Sequence, residues 1–163
     1  MTELLEALYR GQKDKVDELL AAGPQLTLHE AAALGETGRL RELLDEDPTR
    51  ANEFGDDGFH PLGLACFFGH VETAKLLLDR DADVNLLSRN EHIQTAAIHA
   101  AAAAEGKGGE DVRYELVKLA LEHGADPNLR QGGGDEGFRA IDAARQNGDT
   151  RVEQLLLDHG AES

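Results

Sequence analysis

Seven histidines and a single cysteine are the residues of this 163-residue chain best suited to chemistry. Cys66 and His70 lie four apart, the spacing that puts two side chains on one face of a continuous helix, and His60 stands close by in sequence. Zinc would need three or four convergent ligands. Gly69 interrupts the helix that would align this set, so the expectation is a small buried thiol beside a surface imidazole, with no metal held. Ser/His/Asp catalysis has little to draw on: the serines are Ser88, in an expected loop, and the terminal Ser163, and no Gly-x-Ser-x-Gly turn is present. His29-Glu30 lacks the second histidine of a zinc protease helix. Gly106-Lys107-Gly108-Gly109 and Gly132-Gly133-Gly134 lack the preceding strand and following Gly-Lys-Ser/Thr of a phosphate cradle. The 32 Asp and Glu could include a close pair with a shifted pKa, which sequence alone does not single out. No catalytic residue, metal ligand or cofactor site is therefore expected.

The elements that would carry these residues repeat. Gly69-His70-Val71-Glu72 followed by Leu76-Leu77-Leu78 and Asp81-Ala82-Asp83-Val84-Asn85 returns as Glu115 to Asn128 and again as Gly148 to Ala161, with weaker copies at Gly11 to Gly23 and Gly35 to Asp47. A short Ala-rich piece precedes each: Leu4 to Leu8, Leu28 to Leu34, Pro61 to Phe68, Ile98 to Ala104 and Ile141 to Asn147. Each of the five units reads as two short antiparallel helices, with approximate bounds 1–25, 26–54, 55–87, 88–129 and 130–163. In the third, Pro61 suits a first helical turn, Gly69 permits the reversal, and the leucines of the second helix point inward. One such pair cannot cover its own apolar face, whereas stacked pairs bury a continuous core.

Composition bounds the partners. With 16 Lys and Arg against 32 Asp and Glu the net charge is −16, which repels phosphate backbones and anionic lipid, so no nucleic acid or membrane partner is expected. A basic protein or peptide is compatible with this surface, as is acid that serves solubility alone. No apolar run approaches the roughly 20 residues needed to cross a bilayer. The opening Met1-Thr2-Glu3-Leu4-Leu5-Glu6 is acidic and amphipathic, so a soluble, unprocessed chain is expected. One cysteine cannot form an internal disulfide and fits a reducing, cytoplasmic setting.

The repeated residues resemble the ankyrin repeat, whose pattern runs Gly-x-Thr-Pro-Leu-His-x-Ala-Ala, then Gly-His-x-Glu, then Leu-Leu and Gly-Ala-Asp-x-Asn. The match is strongest over Gly58 to Asn85 and Glu115 to Asn128. It implies an all-α solenoid of about five helix-turn-helix units with short β-hairpin turns. It also implies that His29 and His99, at the Leu-His position, hydrogen-bond locally to hold adjacent turns. His70 follows the helix-linking glycine, and His123 and His159 precede Gly-Ala at a helix C-terminus, where a cation is favoured. His60 and His92 need another account. His60-Pro61-Leu62-Gly63, Ala96-Ala97-Ile98-His99 and Arg139-Ala140-Ile141-Asp142 depart from the usual Thr-Pro-Leu-His. The family spacing would put a glutamate near position 108 where Glu115 fits best. The fourth unit is thus expected to carry about seven extra residues within 105–111, read as a long, mobile inter-helix loop because its glycines cost entropy to order. The short spacing from Gly11 to Gly35 predicts that the N-terminal hairpin turn is missing or abbreviated.

In such a stack the hairpin tips and first helices line one hollow face. The tip of the third unit then offers Asp56, Asp57 and Phe59, with Phe67 and Phe68 at the exposed end of its first helix. His92, Ile93 and Thr95 take the matching place in the fourth unit, Asp135, Glu136 and Phe138 in the fifth, and Tyr9 and Arg10 at the N-terminal end. Four of seven aromatic rings fall between Phe54 and Phe68, which makes a ring-and-carboxylate hot spot or, equally, packing between units. The polar Arg145, Gln146, Arg151, Glu153 and Asp158 suit a terminal cap. The expected function is a non-enzymatic, monomeric protein-interaction module that binds a partner protein through its concave face. A narrower alternative is an inhibitor, immunity factor or chaperone that masks a basic patch on one dedicated partner. A metal-dependent or hydrolytic enzyme is the competing class, and an idle or engineered scaffold a third.

Overall fold

The computed structural model describes residues 1–105 and 108–163, which form five antiparallel helix pairs. These are α1 (Glu3–Tyr9) with α2 (Lys13–Ala21), α3 (Leu28–Leu34) with α4 (Thr37–Glu46), and α5 (Pro61–Phe67) with α6 (Val71–Asp79). The last two are α7 (Ala97–Ala102) with α8 (Gly109–Glu122), and α9 (Ala140–Gln146) with α10 (Thr150–Asp158). First helices stack α1–α3–α5–α7–α9, and second helices stack α4–α6–α8–α10 behind them. Among the described residues there is no strand.

Local chemistry sets the helix ends. Thr27 and Glu30 form a reciprocal capping box at the start of α3, and Asp149 caps α10 by accepting from the Val152 N–H. Pro61 occupies the first turn of α5, where its missing N–H costs nothing. The reversal within a pair needs a left-handed residue; Gly69 supplies it at φ 80°, a conformation that costs a side-chain-bearing residue energy. Between neighbouring first helices the contact residues are small and fully buried: Ala31, Ala65, Ala101 and Ala144. Behind them Leu40, Leu44, Leu77, Leu116, Val117 and Leu156 fill the space to the second helices. Each contributes roughly 1.5–3 kcal/mol. One core runs from Leu28 to Ala161, while Leu4, Ala7 and Val16 form a satellite under the N-terminal pair.

A polar ladder fixes the register of the units. Asn52, Asn85 and Asn128 each accept through Oδ1 from a backbone N–H of the next unit, at Asp83, Asp126 and Glu162 (2.8, 2.9 and 2.8 Å). The Nδ2 groups of Asn85 and Asn128 donate onward to the Gly124 and Gly160 carbonyls.

The fingers between units are turns, each closed at its base by a backbone hydrogen bond, Gly55 N–H to Phe59 O, Ser88 N–H to Thr95 O and Gln131 N–H to Phe138 O, to which Ser88 Oγ adds bonds with Ile93 O and Thr95 N–H. Neighbouring fingers join through Arg89 N–H to Gly58 O and Gly132 N–H to Gln94 O. No finger separates α2 from α3, as the short spacing there predicts. The insertion in the fourth unit differs from its expected form. Gly106 and Lys107 lie outside the described residues, but Gly109, Glu110 and Asp111 are the first turn of α8, which has 14 residues against nine in α6 and α10. Residues 109–111 of the added chain are helix because Glu110 to Glu115 run without a breaker, and the lengthened α8 finds partners on α10 and its cap. Arg113 reaches Asp149 at 2.9 Å, and Arg151 reaches Asp111 at 2.7 Å while lying 4.5 Å over the Tyr114 ring.

Candidate interaction face

The first helices and the fingers enclose a cavity of about 250 Å³. Its floor is Gly63, Leu64 and Phe67 of α5 and Ala100 and Ala103 at α7; its walls are Phe59, Ile93, Thr95, His99 and Gln131, and Tyr9 closes the N-terminal side. It exists because α5 and α7 present glycine and alanine where the fingers lean over, so the fingers' rings and chains bound a space instead of filling it. A second hollow, of about 200 Å³, adjoins it across His99, Ala103 and Gln131 and is bounded by Phe138, Arg139, Ala143 and Gln146. Ile93 and Phe138 are unusual among large apolar side chains of this protein in being 43% and 59% exposed, and both stand on this face.

The candidate residues from sequence divide into groups. Phe59, Phe67 and Ile93 line the cavity, and Phe138 the adjoining hollow. Asp56, Asp57 and His92 meet at the paired tips of the third and fourth fingers, with Glu91. Asp135 and Glu136 are exposed on the fifth finger. Phe67 and Phe68 are half-buried, not exposed: their rings meet edge to face at 5.1 Å, Phe67 against the main core. Phe68 turns away to stack on Tyr9 at 5.8 Å and to pack against Leu5, Ala32 and Ala33. Phe54 is held elsewhere, under the Arg89 guanidinium at 4.2 Å and edge-on to His60. Sequence reasoning missed Leu64, Ala100 and Ala103 as lining residues, which carry no signal beyond core helix. Gln131 belongs to the finger 131–137 that sequence marks as a further contact segment, but its place on the rim is set by a turn that sequence does not specify.

Electrostatics on the face centre on Tyr9 and Asp57. The Tyr9 hydroxyl donates to Asp57 Oδ2 at 2.7 Å, and burial, reinforced by that bond, pushes its pKa far up, so it stays protonated. Asp57 Oδ1 also accepts from Phe59 N–H at 3.1 Å. Asp56, its side chain 91% exposed, lies 3.4 Å from the N-terminal amine.

The residues considered for chemistry are committed to holding the fold. His60 is buried, its Nε2 donating to Leu86 O (2.9 Å) and its Nδ1 accepting from Gly63 N–H (3.2 Å). His99 is also buried, with Nε2 donating to Leu129 O (2.7 Å) and Nδ1 accepting from Ala96 N–H (3.0 Å). His70 is not a surface imidazole: it is half-buried and bonds through Nε2 to Ala33 O at 2.8 Å. Burial lowers the pKa of all three histidines. Cys66 is enclosed in apolar surroundings, which push its thiol up to about 12. Among the described residues no three His, Cys, Asp or Glu side chains converge as a metal site would require, and no helix is long and apolar enough to cross a membrane.

Comparison with known proteins matches residues 3–88 to the family model described as ankyrin repeats, three copies. The chain is 28% identical over 160 residues to "Ankyrin repeat and SAM domain-containing protein 6" of Mus musculus, covering 94% of this chain and 17% of that protein. It is 35% identical over 80 residues to "DNA-binding protein RFXANK" of Homo sapiens, 49% of this chain and 31% of that protein. Over 136 residues it is 30% identical to "Transient receptor potential cation channel subfamily A member 1" of Homo sapiens, 82% of this chain and 11% of that protein. The chain thus spans less than a third of the length of each of these relatives.

Proposed function

Because this chain belongs to the ankyrin repeat family, whose repeats serve generally as protein-protein interaction modules, we propose that it is a non-catalytic module that receives a partner protein on the face formed by its fingers and first helices. The observation that carries this reading is the apolar cavity with Ile93 exposed at its rim and Phe138 exposed at the adjoining hollow, since a large apolar side chain left in water on a helix-and-turn face marks a surface built for contact. The DNA-binding function in one relative's name does not suit this chain, whose net charge of −16 opposes a phosphate backbone. The same charge keeps it from self-association and favours a monomer, and an unpaired buried Cys66 is compatible with the cytoplasm.

The net charge also favours a narrower second reading, in which the module masks a basic patch on one dedicated partner. Charge masking weakens steeply with salt, whereas groove binding through apolar contacts does not. The test of the main reading is a binding comparison on purified protein. Ile93→Glu combined with Phe138→Glu should abolish capture of ligands selected against the native chain, while Lys75→Glu on the opposite, second-helix side leaves it intact. Equal retention by both variants, with native circular dichroism, would refute the assignment of this face.

A further inference from the structure

We infer that the 250 Å³ cavity receives one bulky apolar side chain, aromatic or long aliphatic, carried on a basic peptide segment whose Lys or Arg meets the acidic fingertips. This rests on the reading of the face as the partner-binding surface and names the partner's chemistry. Size is the first argument. At about 250 Å³ the space falls below the roughly 300 to 1,000 Å³ typical of small-molecule sites, and suits a single large side chain entering from a larger body.

Polarity is the second argument. The Tyr9 hydroxyl proton is given to Asp57 and both ring nitrogens of His99 are bonded to backbone, so Tyr9 has no proton to donate to a ligand and His99 has neither donor nor acceptor left. Among the described residues no buried side-chain polar atom lacks a partner, so beyond the Thr95 hydroxyl and the Tyr9 oxygen a polar group driven into the cavity would find nothing to replace its water. Hydrogen bonding is available at the rim, where the half-buried Gln131 stands between the cavity and the adjoining hollow. Its carboxamide can donate to and accept from the backbone of a segment crossing toward Phe138.

Charge selects the carrier. Arg10, Arg139 and Arg145, on or beside the first helices, are already paired with Glu6, Asp142 and Glu153, and Arg89 lies on Phe54. Glu91, Asp135 and Glu136 project from the fingertips into solvent, and Asp56, beside the N-terminal amine at 3.4 Å, keeps a side chain that is 91% exposed. A second copy of this chain would bring another net −16 against that rim, so a cationic segment is the complement.

The experiment pans a library of random linear peptides on the purified chain. Binders are expected to share one Phe, Trp, Tyr, Leu or Met with Lys or Arg a few positions away. The chain has no tryptophan, so a binder synthesised with Trp at the anchor reports its own burial by a blue-shifted emission on saturation. Ala103→Phe, with Ala103→Leu as a milder filler of the cavity, should weaken it about tenfold or more. Asp56→Asn with Glu91→Gln should weaken it several-fold at low salt, a difference that vanishes near 0.5 M, where the Debye length is only about 4 Å. Binders lost in the Ile93→Glu, Phe138→Glu variant that share no apolar anchor, or tolerate Ala103→Phe, overturn this inference and leave the binding face standing. Binders indifferent to that double variant, or no binders, overturn both.

Discussion

His29, His60 and His99 sit at three different places in their helical first turns, yet each donates through Nε2 to the same point at the end of its own unit, the carbonyl after the ladder asparagine: Glu53, Leu86 and Leu129. His29 is the second residue of α3, His60 the cap of α5, and His99 the third residue of α7. Gly63 occupies in α5 the position of His99 in α7, and a Cβ there would come within 3.3 Å of the His60 ring. The third unit has thus moved its imidazole from the helix to the cap and cleared the space. Sequence reading gave His99 its role and left His60 without one, because spacing does not show that a ring on the cap reaches the same carbonyl. These bonds require neutral rings, since Nδ1 of His60 and His99 must accept. Burial lowers the folded pKa values of His60, His70 and His99, so at these three rings the unfolded chain takes up protons first, and their contribution is complete above the unfolded value of about 6.5 and is lost as pH falls through it toward the folded values. Urea midpoints should therefore drop between about pH 7.5 and pH 5.5. Replacing His60 by Asn, which keeps an acceptor for Gly63 N–H but cannot reach Leu86, should lower stability at pH 7.5 by about 1 kcal/mol and flatten part of that slope. An unchanged slope in this variant would rule out His60 as a contributor.

Among the elements, α8 shows how an insertion becomes structure. Its position was legible from the displaced glutamate, but its form was not: glycines at 106, 108 and 109 read as loop, while the helix-forming run after them decides the outcome once α10 offers Asp149 and Arg151. The two ion pairs differ in worth. Asp149 is 1% exposed and Arg113 20%, so removing the guanidinium strands a buried carboxylate. The Arg151–Asp111 pair is 50% and 82% exposed and is screened by water. Arg113→Ala should cost about 2–3 kcal/mol in chemical denaturation, and Asp111→Ala under about 0.5. Equal effects would show that solvent reaches both pairs alike. The fingers make the complementary case. The repeat pattern placed the fingers in sequence as short β-hairpin turns, but no strand forms among the described residues, where Arg89 N–H and Gly132 N–H bond instead to the neighbouring fingers at Gly58 O and Gln94 O.

For the whole molecule, stability should be distributed along the stack, because the helices of each unit pack chiefly on those of its neighbours and terms add between them. The two ends are not equivalent. The C-terminal pair shares the continuous core through Ile141, Val152 and Leu156, whereas α1 and α2 bury chiefly the satellite Leu4, Ala7 and Val16. What else holds the N-terminal pair is Tyr9, which reaches past the second unit to the third: its ring packs on Phe59 and Phe68 and its hydroxyl bonds to Asp57. Native-state hydrogen exchange should accordingly find the amides of α1 and α2 opening at lower free energy than those of α5 to α10. Tyr9→Phe keeps the ring and deletes one hydrogen bond to a half-buried carboxylate, so it should lower the opening energy of α1 and α2 by about 1 kcal/mol. Protection in α7 to α10 should be unchanged, since those helices share no contact with Tyr9 that the hydroxyl supports. Uniform loss of protection across all ten helices would mean that the chain opens as one cooperative block, and the sum of neighbouring units would be the wrong description of its energy.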